Sequence, residues 1–356
     1  MKITKLSKYM VLLLGGTLTL TSCGKQVSHK EHLNEYISVL PYHDNYHVAQ
    51  IADLHWSNET DILRAKEYFK GLTAEIQKHY GSLDLFEFTG DQFMLASKLT
   101  VYRFMEMMRE INIPYAVVFG NHDRECSYSQ SWLSNELKKE PLCIYNEVEN
   151  DDVFGHSNFV INLNEGDETK WQLFNLDSGA SYLKRPFDPK LTYDYLRDDQ
   201  FALVDDLHQA GVPGIMYCHI AQNDFDYAFE KKDSLYNRFF KFEGFGGSNA
   251  RANDKALNCM KRNEMKGVFV GHAHSVDWTV DYEGITYGFG VKTGKELYFA
   301  KVSKENAMEE LGINQAFDLQ GSSVITLKND KTFDLEHLYY NHDDNSEFVH
   351  WEKYHA

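Results

Sequence analysis

The chain has 356 residues, of which 43% are hydrophobic and 25% charged, with a formal net charge of −17. These are ordinary values for a globular protein with enough length to bury a sizeable core. The acidity also weighs against nucleic acid as a partner, because binding a phosphate backbone needs basic patches.

Met1 to Ser22 reads as an export signal. Lys2, Lys5 and Lys8 make a basic start, and Tyr9 to Leu20 is apolar but too short to span a membrane. The stretch ends in Leu20-Thr21-Ser22-Cys23, small residues before a Cys, which resembles a bacterial lipobox. Residues 1–22 are then a lipoprotein signal peptide, and Cys23 becomes the lipidated first residue. The chain is expected outside the cytoplasm, lipid-anchored to the cell membrane without spanning it. Residues 23–39 are expected to form a tether, 40–340 one domain and 341–356 a surface tail. Cys126, Cys143, Cys218 and Cys259 show no CxxC spacing, so neither a zinc knuckle nor a thioredoxin motif is present.

His47 to Ala52 reads as a strand that exits through Asp53-Leu54-His55. Ser57 or Asn58 caps a predicted helix over 59–80, closed by Gly81. Leu83 to Thr89 is a second strand and exits through Gly90-Asp91; a helix over 96–111 follows. Tyr115 to Phe119, bounded by Pro114 and Gly120, is a third strand and empties into Gly120-Asn121-His122-Asp123. This strand–helix–strand–helix–strand order predicts a mostly parallel α/β sheet with right-handed crossovers. Further strands are expected at 158–163 and 171–177, a helix at 197–210, and a strand at 216–220 that carries His219. Residues 224–262 lack periodicity and read as a long loop near a site. A strand over 268–274 ends in Gly271-His272-Ala273-His274, and short strands follow at 276–282, 285–289, 322–327 and 332–335.

Open α/β sheets collect ligand groups at the carboxyl ends of their strands, and strand after strand here ends in Asp, Asn or His. Taken singly the pieces are weak. Gly-Asp is commonly a turn, and His272-x-His274 on one strand equally describes an exposed polar face. Together they make a donor set of carboxylate, amide oxygen and imidazole, suited to hard or borderline divalent metals.

In order, Asp53-x-His55, Gly90-Asp91, Gly120-Asn121-His122-Asp123, His219 and Gly271-His272-Ala273-His274 resemble the calcineurin-like metallophosphoesterase superfamily. Leu176-Asp177-Ser178 and Cys218-His219-Ile220 resemble its purple-acid-phosphatase-like branch. The resemblance implies a two-sheet α/β/β/α sandwich built on βαβαβ units, with the site at the strand ends. It implies that Asp53, His55 and His274 hold one metal ion, that Asn121, His219 and His272 hold a second, and that Asp91 bridges them. The two ions would be Mn, Fe, Zn or Co, and a bridging hydroxide would attack phosphorus in line. His122 would assist the leaving group with Asp123 as its orienting partner, and Asn121, His122 and Arg124 would contact the phosphate. Asp177 and Ser178 are open between a turn and a substrate contact. One departure stands out: the purple acid phosphatases carry a Tyr three residues after the bridging Asp, and here that residue is Met94. The expected activity is hydrolysis of small phosphomonoesters. A phosphodiesterase or nucleotidase of the same fold, and a non-catalytic surface metal-binding lipoprotein, are the alternatives.

Overall fold

The computed structural model describes residues 29–148, 152–183, 191–236, 255–274, 276–294, 320–341 and 347–355. The export signal, Cys23 and the first residues of the expected tether lie outside the described residues, as do residues 237–254 of the expected loop.

Strands β1 (Ile37–Pro41) and β2 (Tyr46–Ile51) lead into helix α1 (Glu59–Tyr80), β3 (Leu85–Thr89), α2 (Lys98–Ile111) and β4 (Tyr115–Val118). Next come α3 (Gln130–Leu137), β5 (Phe159–Glu165), β6 (Glu168–Asn175), β7 (Ser181–Leu183), β8 (Leu191–Tyr193), α4 (Asp198–Leu207) and β9 (Gly214–Tyr217). The remainder begins with α5 (Asp224–Lys231), β10 (Ser234–Tyr236), α6 (Lys255–Arg262) and β11 (Met265–Val270). It closes with β12 (Thr279–Tyr282), β13 (Ile285–Phe289), β14 (Gln320–Leu327), β15 (Phe333–Asn341) and β16 (Glu347–His355).

The strands form an eight-stranded sheet, β1-β5-β6-β9-β11-β13-β12-β10, and a six-stranded one, β16-β15-β14-β2-β3-β4. In the second sheet β2, β3 and β4 are parallel, joined by α1 and α2 as the expected βαβαβ unit. In the first, β6, β9, β11 and β13 are parallel. One apolar core lies between the sheets and beneath α1 and α2, and a second lies under α4, α5 and α6. That is the expected α/β/β/α sandwich. Rings such as Phe269 and Phe333 meet across the sheet interface, with centroids 5.8 Å apart.

Local chemistry sets the helix ends as read. Asn58 accepts from the Thr60 and Asp61 amides in a capping box that Asp61 completes, and Gly81 ends α1 in the left-handed region at φ 94°. Ile62, Phe69, Leu72 and Ile76 supply its buried stripe.

Several boundaries need correction. Residues 37–39 of the expected tether belong to β1, which pairs in parallel with β5, and the preceding Tyr36 is buried. The expected surface tail contains β16, which pairs with β15 along the sheet edge. The stretch 224–262 is not all loop, since α5, β10 and α6 lie within it. Helix α3 was not anticipated. The His-bearing strands are shorter than expected: β9 stops at Tyr217 and β11 at Val270, so His219, His272 and His274 sit beyond the strand ends.

Candidate metal centre

The parallel strands β2, β3, β9 and β11 and the neighbouring β4 deliver their exits to one place. Asp53, His55, Asp91 and His274 place ligand atoms within 4.8 Å of one another, and so do Asp91, His219 and His272. Asp91 belongs to both groups. In the first, the Nε2 atoms of His55 and His274 lie 3.0 Å apart, and the His274 Nε2 is 3.3 Å from Asp53 Oδ1. In the second, His219 Nε2 lies 3.1 Å from Asp91 Oδ2 and 3.2 Å from Asn121 Oδ1, which brings Asn121 into the group.

The surroundings aim these donors. His219 uses Nδ1 on the Thr89 carbonyl at 2.9 Å, leaving Nε2 to face Asp91 and Asn121. Asp91 Oδ1 accepts the His122 amide at 2.7 Å, while buried Oδ2 faces His219 Nε2 at 3.1 Å and His55 Nε2 at 3.6 Å. Both oxygens of Asp53 accept the His272 amide, at 3.1 and 3.0 Å. A buried carboxylate oxygen flanked by ring nitrogens from two donor groups fits a cation shared between them.

The backbone is bent to reach this arrangement. Asp53, His55, Asp91 and His272 all adopt positive φ, at 55°, 51°, 55° and 69°. Each such residue stores about 1–3 kcal/mol that the surrounding structure must offset. Two glycines allow close approach: a Cβ on Gly90, itself at φ 96°, would lie 2.2 Å from His219 Nδ1, and one on Gly120 would lie 2.2 Å from Asp91 Oδ1.

Electrostatics follow from burial and neighbours. Burial opposes ionisation of Asp53, yet His274, His55 and His219 hold its carboxyl well below the usual range. Asp91 is likewise lowered against burial, by His219 and His55. His219 is raised to about 9: burial works against its charge, but Asp91 and Asp53 win. His272 falls to about 3 through burial and the charge of His219.

Asp123 is not placed as an orienting partner of His122. Its carboxylate accepts the amides of Asp91 at 3.0 Å, Phe93 at 2.8 Å and Gly120 at 2.8 Å, tying the loop after β3 to the loop after β4. Burial and Asp91 raise it to about 7. The His122 ring instead pairs through Nδ1 with Glu125 Oε2 at 2.8 Å, and its centroid lies 4.9 Å from that of His55. Arg124 directs Nη2 to both oxygens of buried Asp177, at 2.9 and 2.7 Å. Asp177 also accepts the amides of His156 and Gly179, which places it in a turn. Ser178 Oγ accepts the Ile220 amide at 2.8 Å. Glu125, Thr89 and Tyr193, whose ring packs on His272, are the neighbours that sequence reasoning missed. Only Glu125 had a signal, its i, i+3 spacing from His122.

Fold and donor set together define a metal-binding α/β/β/α sandwich with its centre at the strand ends. Residues 46–276 match the family model for calcineurin-like phosphoesterases, and the chain belongs to that family. Two curated Arabidopsis thaliana proteins are similar. "Probable inactive purple acid phosphatase 29" is 23% identical over 342 residues, spanning 82% of this chain and 83% of that protein. "Probable inactive purple acid phosphatase 14" is 24% identical over 296 residues, spanning 71% of each. Among solved structures, a dimetal phosphatase from Danio rerio aligns with a TM-score of 0.50 at 9% identity, over 86% of this chain and 99% of that one.

Proposed function

We propose that the chain is a phosphoester hydrolase that works with two metal ions and prefers small phosphomonoesters. The observation that carries this reading is buried Asp91, whose carboxylate belongs to both groups of imidazole and carboxylate donors, with Oδ2 3.1 Å from His219 Nε2 on one side and 3.6 Å from His55 Nε2 on the other. Asp53, His55 and His274 would hold one ion, Asn121, His219 and His272 the other, and Asp91 would be common to both. When bound, the ions supply Lewis acidity and a nucleophilic water at neutral pH. His122 sits beside the first group, and with Nδ1 on Glu125 its Nε2 is the ring atom left to deliver a proton to the departing alkoxide. Asp123 acts one step back, holding the two ligand loops in register.

The test is to strip the full-length chain of metal, re-supply Mn, Fe, Co or Zn, and follow chromogenic phosphomonoesters and diesters. Metal-restored hydrolysis favouring the monoester supports the reading, and diester preference turns it to a phosphodiesterase. A second reading, a non-catalytic metal-binding surface protein, is favoured by one observation: both curated relatives are named inactive. Stoichiometric metal uptake with no turnover would establish it.

We further propose that the chain is exported and anchored through lipidated Cys23, on the strength of the basic, apolar and Leu-Thr-Ser-Cys order at its start. Fractionation of wild type and Cys23→Ala tests this. Wild type should follow the membrane and the variant should not; equal partition would refute the anchor.

A further inference from the structure

The two-stranded hairpin β7–β8 pairs with neither main sheet. Its last residue, Tyr193, brings its ring to 4.2 Å, centroid to centroid, from the His272 imidazole, at an interplanar angle of 80°. Even so, 40% of Tyr193 remains exposed. A half-exposed aromatic ring thus rests directly on a side chain assigned to the second metal group.

Its position is prescribed by the residues beside it. The neighbouring Asp194 is buried, pairs with Arg197 Nη2 at 2.7 Å and accepts the Tyr195 amide at 3.0 Å. The Asp194 amide donates to the Ala180 carbonyl across the hairpin base. Gly179, in the left-handed region at φ 77°, packs so closely that a Cβ there would lie 2.4 Å from Asp194 Oδ2. The Gly179 amide in turn donates to Asp177, which Arg124 holds. One line of contacts, Arg124–Asp177–Gly179–Asp194, therefore ties the hairpin base to the loop that carries His122. The backbone next to Tyr193 is thereby held in place, and fixing it in advance lowers the ordering cost of any contact its ring makes.

We propose that Tyr193 is a specificity-determining residue, a wall against which the aromatic leaving group of a phenolic phosphomonoester packs. This rests on the phosphoester reading above. The class follows from distance: the ring touches a ligand imidazole itself, so a group bonded directly to the ester oxygen is close enough to pack on it. A phenolic ester places its ring there. A nucleoside 5′-phosphate holds its base several bonds further out, and a sugar phosphate offers no aromatic face.

The experiment measures calorimetric binding of benzylphosphonate and methylphosphonate to the manganese-loaded full-length chain, beside turnover of phenyl phosphate and glycerol 2-phosphate. Wild type should bind benzylphosphonate more tightly than methylphosphonate. Tyr193→Ala should weaken benzylphosphonate about five- to tenfold, the size of one aromatic pair, and leave methylphosphonate unchanged. Tyr193→Phe should keep the wild-type contrast, because the ring and not the hydroxyl makes the wall. Equal weakening of both phosphonates in Tyr193→Ala, or no change in either, overturns the proposal. Intact phosphonate selectivity with no turnover removes the hydrolase reading and supports the Tyr193 assignment. A wild-type chain that binds manganese but neither phosphonate overturns both.

Discussion

Glu87 and Asp91 lie on β3 and its exit loop, four residues apart in sequence, and both carboxyls are fully buried, yet one is displaced upward and the other downward. Between the sheets, neither Glu87 oxygen has a hydrogen-bond partner, and desolvation alone raises the group well above its ordinary value. At the strand end, Asp91 suffers the same desolvation, but His219 and His55 reverse it and hold the carboxyl low. The difference lies in what the chain can bring near. Inside the sheet, neighbours are fixed by register and are mostly apolar. Past the strand ends, left-handed residues such as Asp53, Asp91 and His272 turn loops from both sheets onto one point. The same desolvation stands unopposed in one place, holding the proton to higher pH, and is overridden by imidazoles in the other.

The sharpest way to break this contrast is to remove the shared charge. Asp91→Asn keeps the shape and the oxygen that accepts the His122 amide, but it leaves both donor groups short of a carboxylate. We expect metal uptake to fall at both sites and hydrolysis to drop by roughly 10³-fold or more, given the several kcal/mol a metal centre supplies. Metal analysis and kcat/KM check it; two ions retained at wild-type affinity would sink the bridging role. His122→Ala should cost about 10²–10⁴-fold in kcat, the range of a general acid, with metal uptake unchanged. A rate loss that tracks metal loss would instead make His122 part of the scaffold. Gly90→Ala probes the backbone. The new methyl meets the His219 ring and sits at positive φ, so we expect about 1–3 kcal/mol of lost stability, with weaker metal uptake at the His219 group. Metal-binding isotherms indistinguishable from wild type would show that His219 has room to move.

Much of this site was legible because each ligand follows a short apolar run that can only be a buried strand. Tyr115 to Val118 followed by Gly120-Asn121-His122 is the clearest case. What stayed hidden depends on dihedral angles and long-range pairing. His272 and His274 read as two residues on one face of a strand. The strand in fact stops at Val270, and it is the left-handed His272 that sends the two rings to the different donor groups the resemblance implied. Asp123 was expected to orient His122. The short 3-10 turn over His122–Arg124 instead carries the Asp123 carboxylate inward and leaves Glu125, three residues on, to meet the ring. Strand β1 was missed because it exists only through the distant β5, and β16, though it pairs with the strand just before it, lies in a polar, His- and Asp-rich end of the chain. Neither has a pattern strong enough to announce itself alone.

Glu87 was equally invisible, since an acid inside Leu-Phe-Glu-Phe-Thr reads as one exposed position in an alternating strand, whereas this strand is covered on both faces. It yields the smallest expected effect and the one that isolates burial from ligation. The folded chain keeps a proton on Glu87 to a higher pH than the unfolded chain, whose Glu titrates near 4.5. Between those two values the native state binds more protons than the unfolded state, so stability falls as pH rises through that window and is fully retained below it. Each unit of upward displacement is worth about 1.4 kcal/mol. Glu87→Gln removes the ionisable group with almost no change in volume. We therefore expect its urea midpoint to equal that of wild type at pH 4 and to exceed it at pH 8, with the gap opening steadily between. Taking the difference between the two proteins cancels the titration of the strand-end cluster, which both share. Parallel curves over the whole range would mean that the Glu87 carboxylate finds a partner between the sheets, and the contrast with Asp91 would then come down to which partner each carboxyl meets.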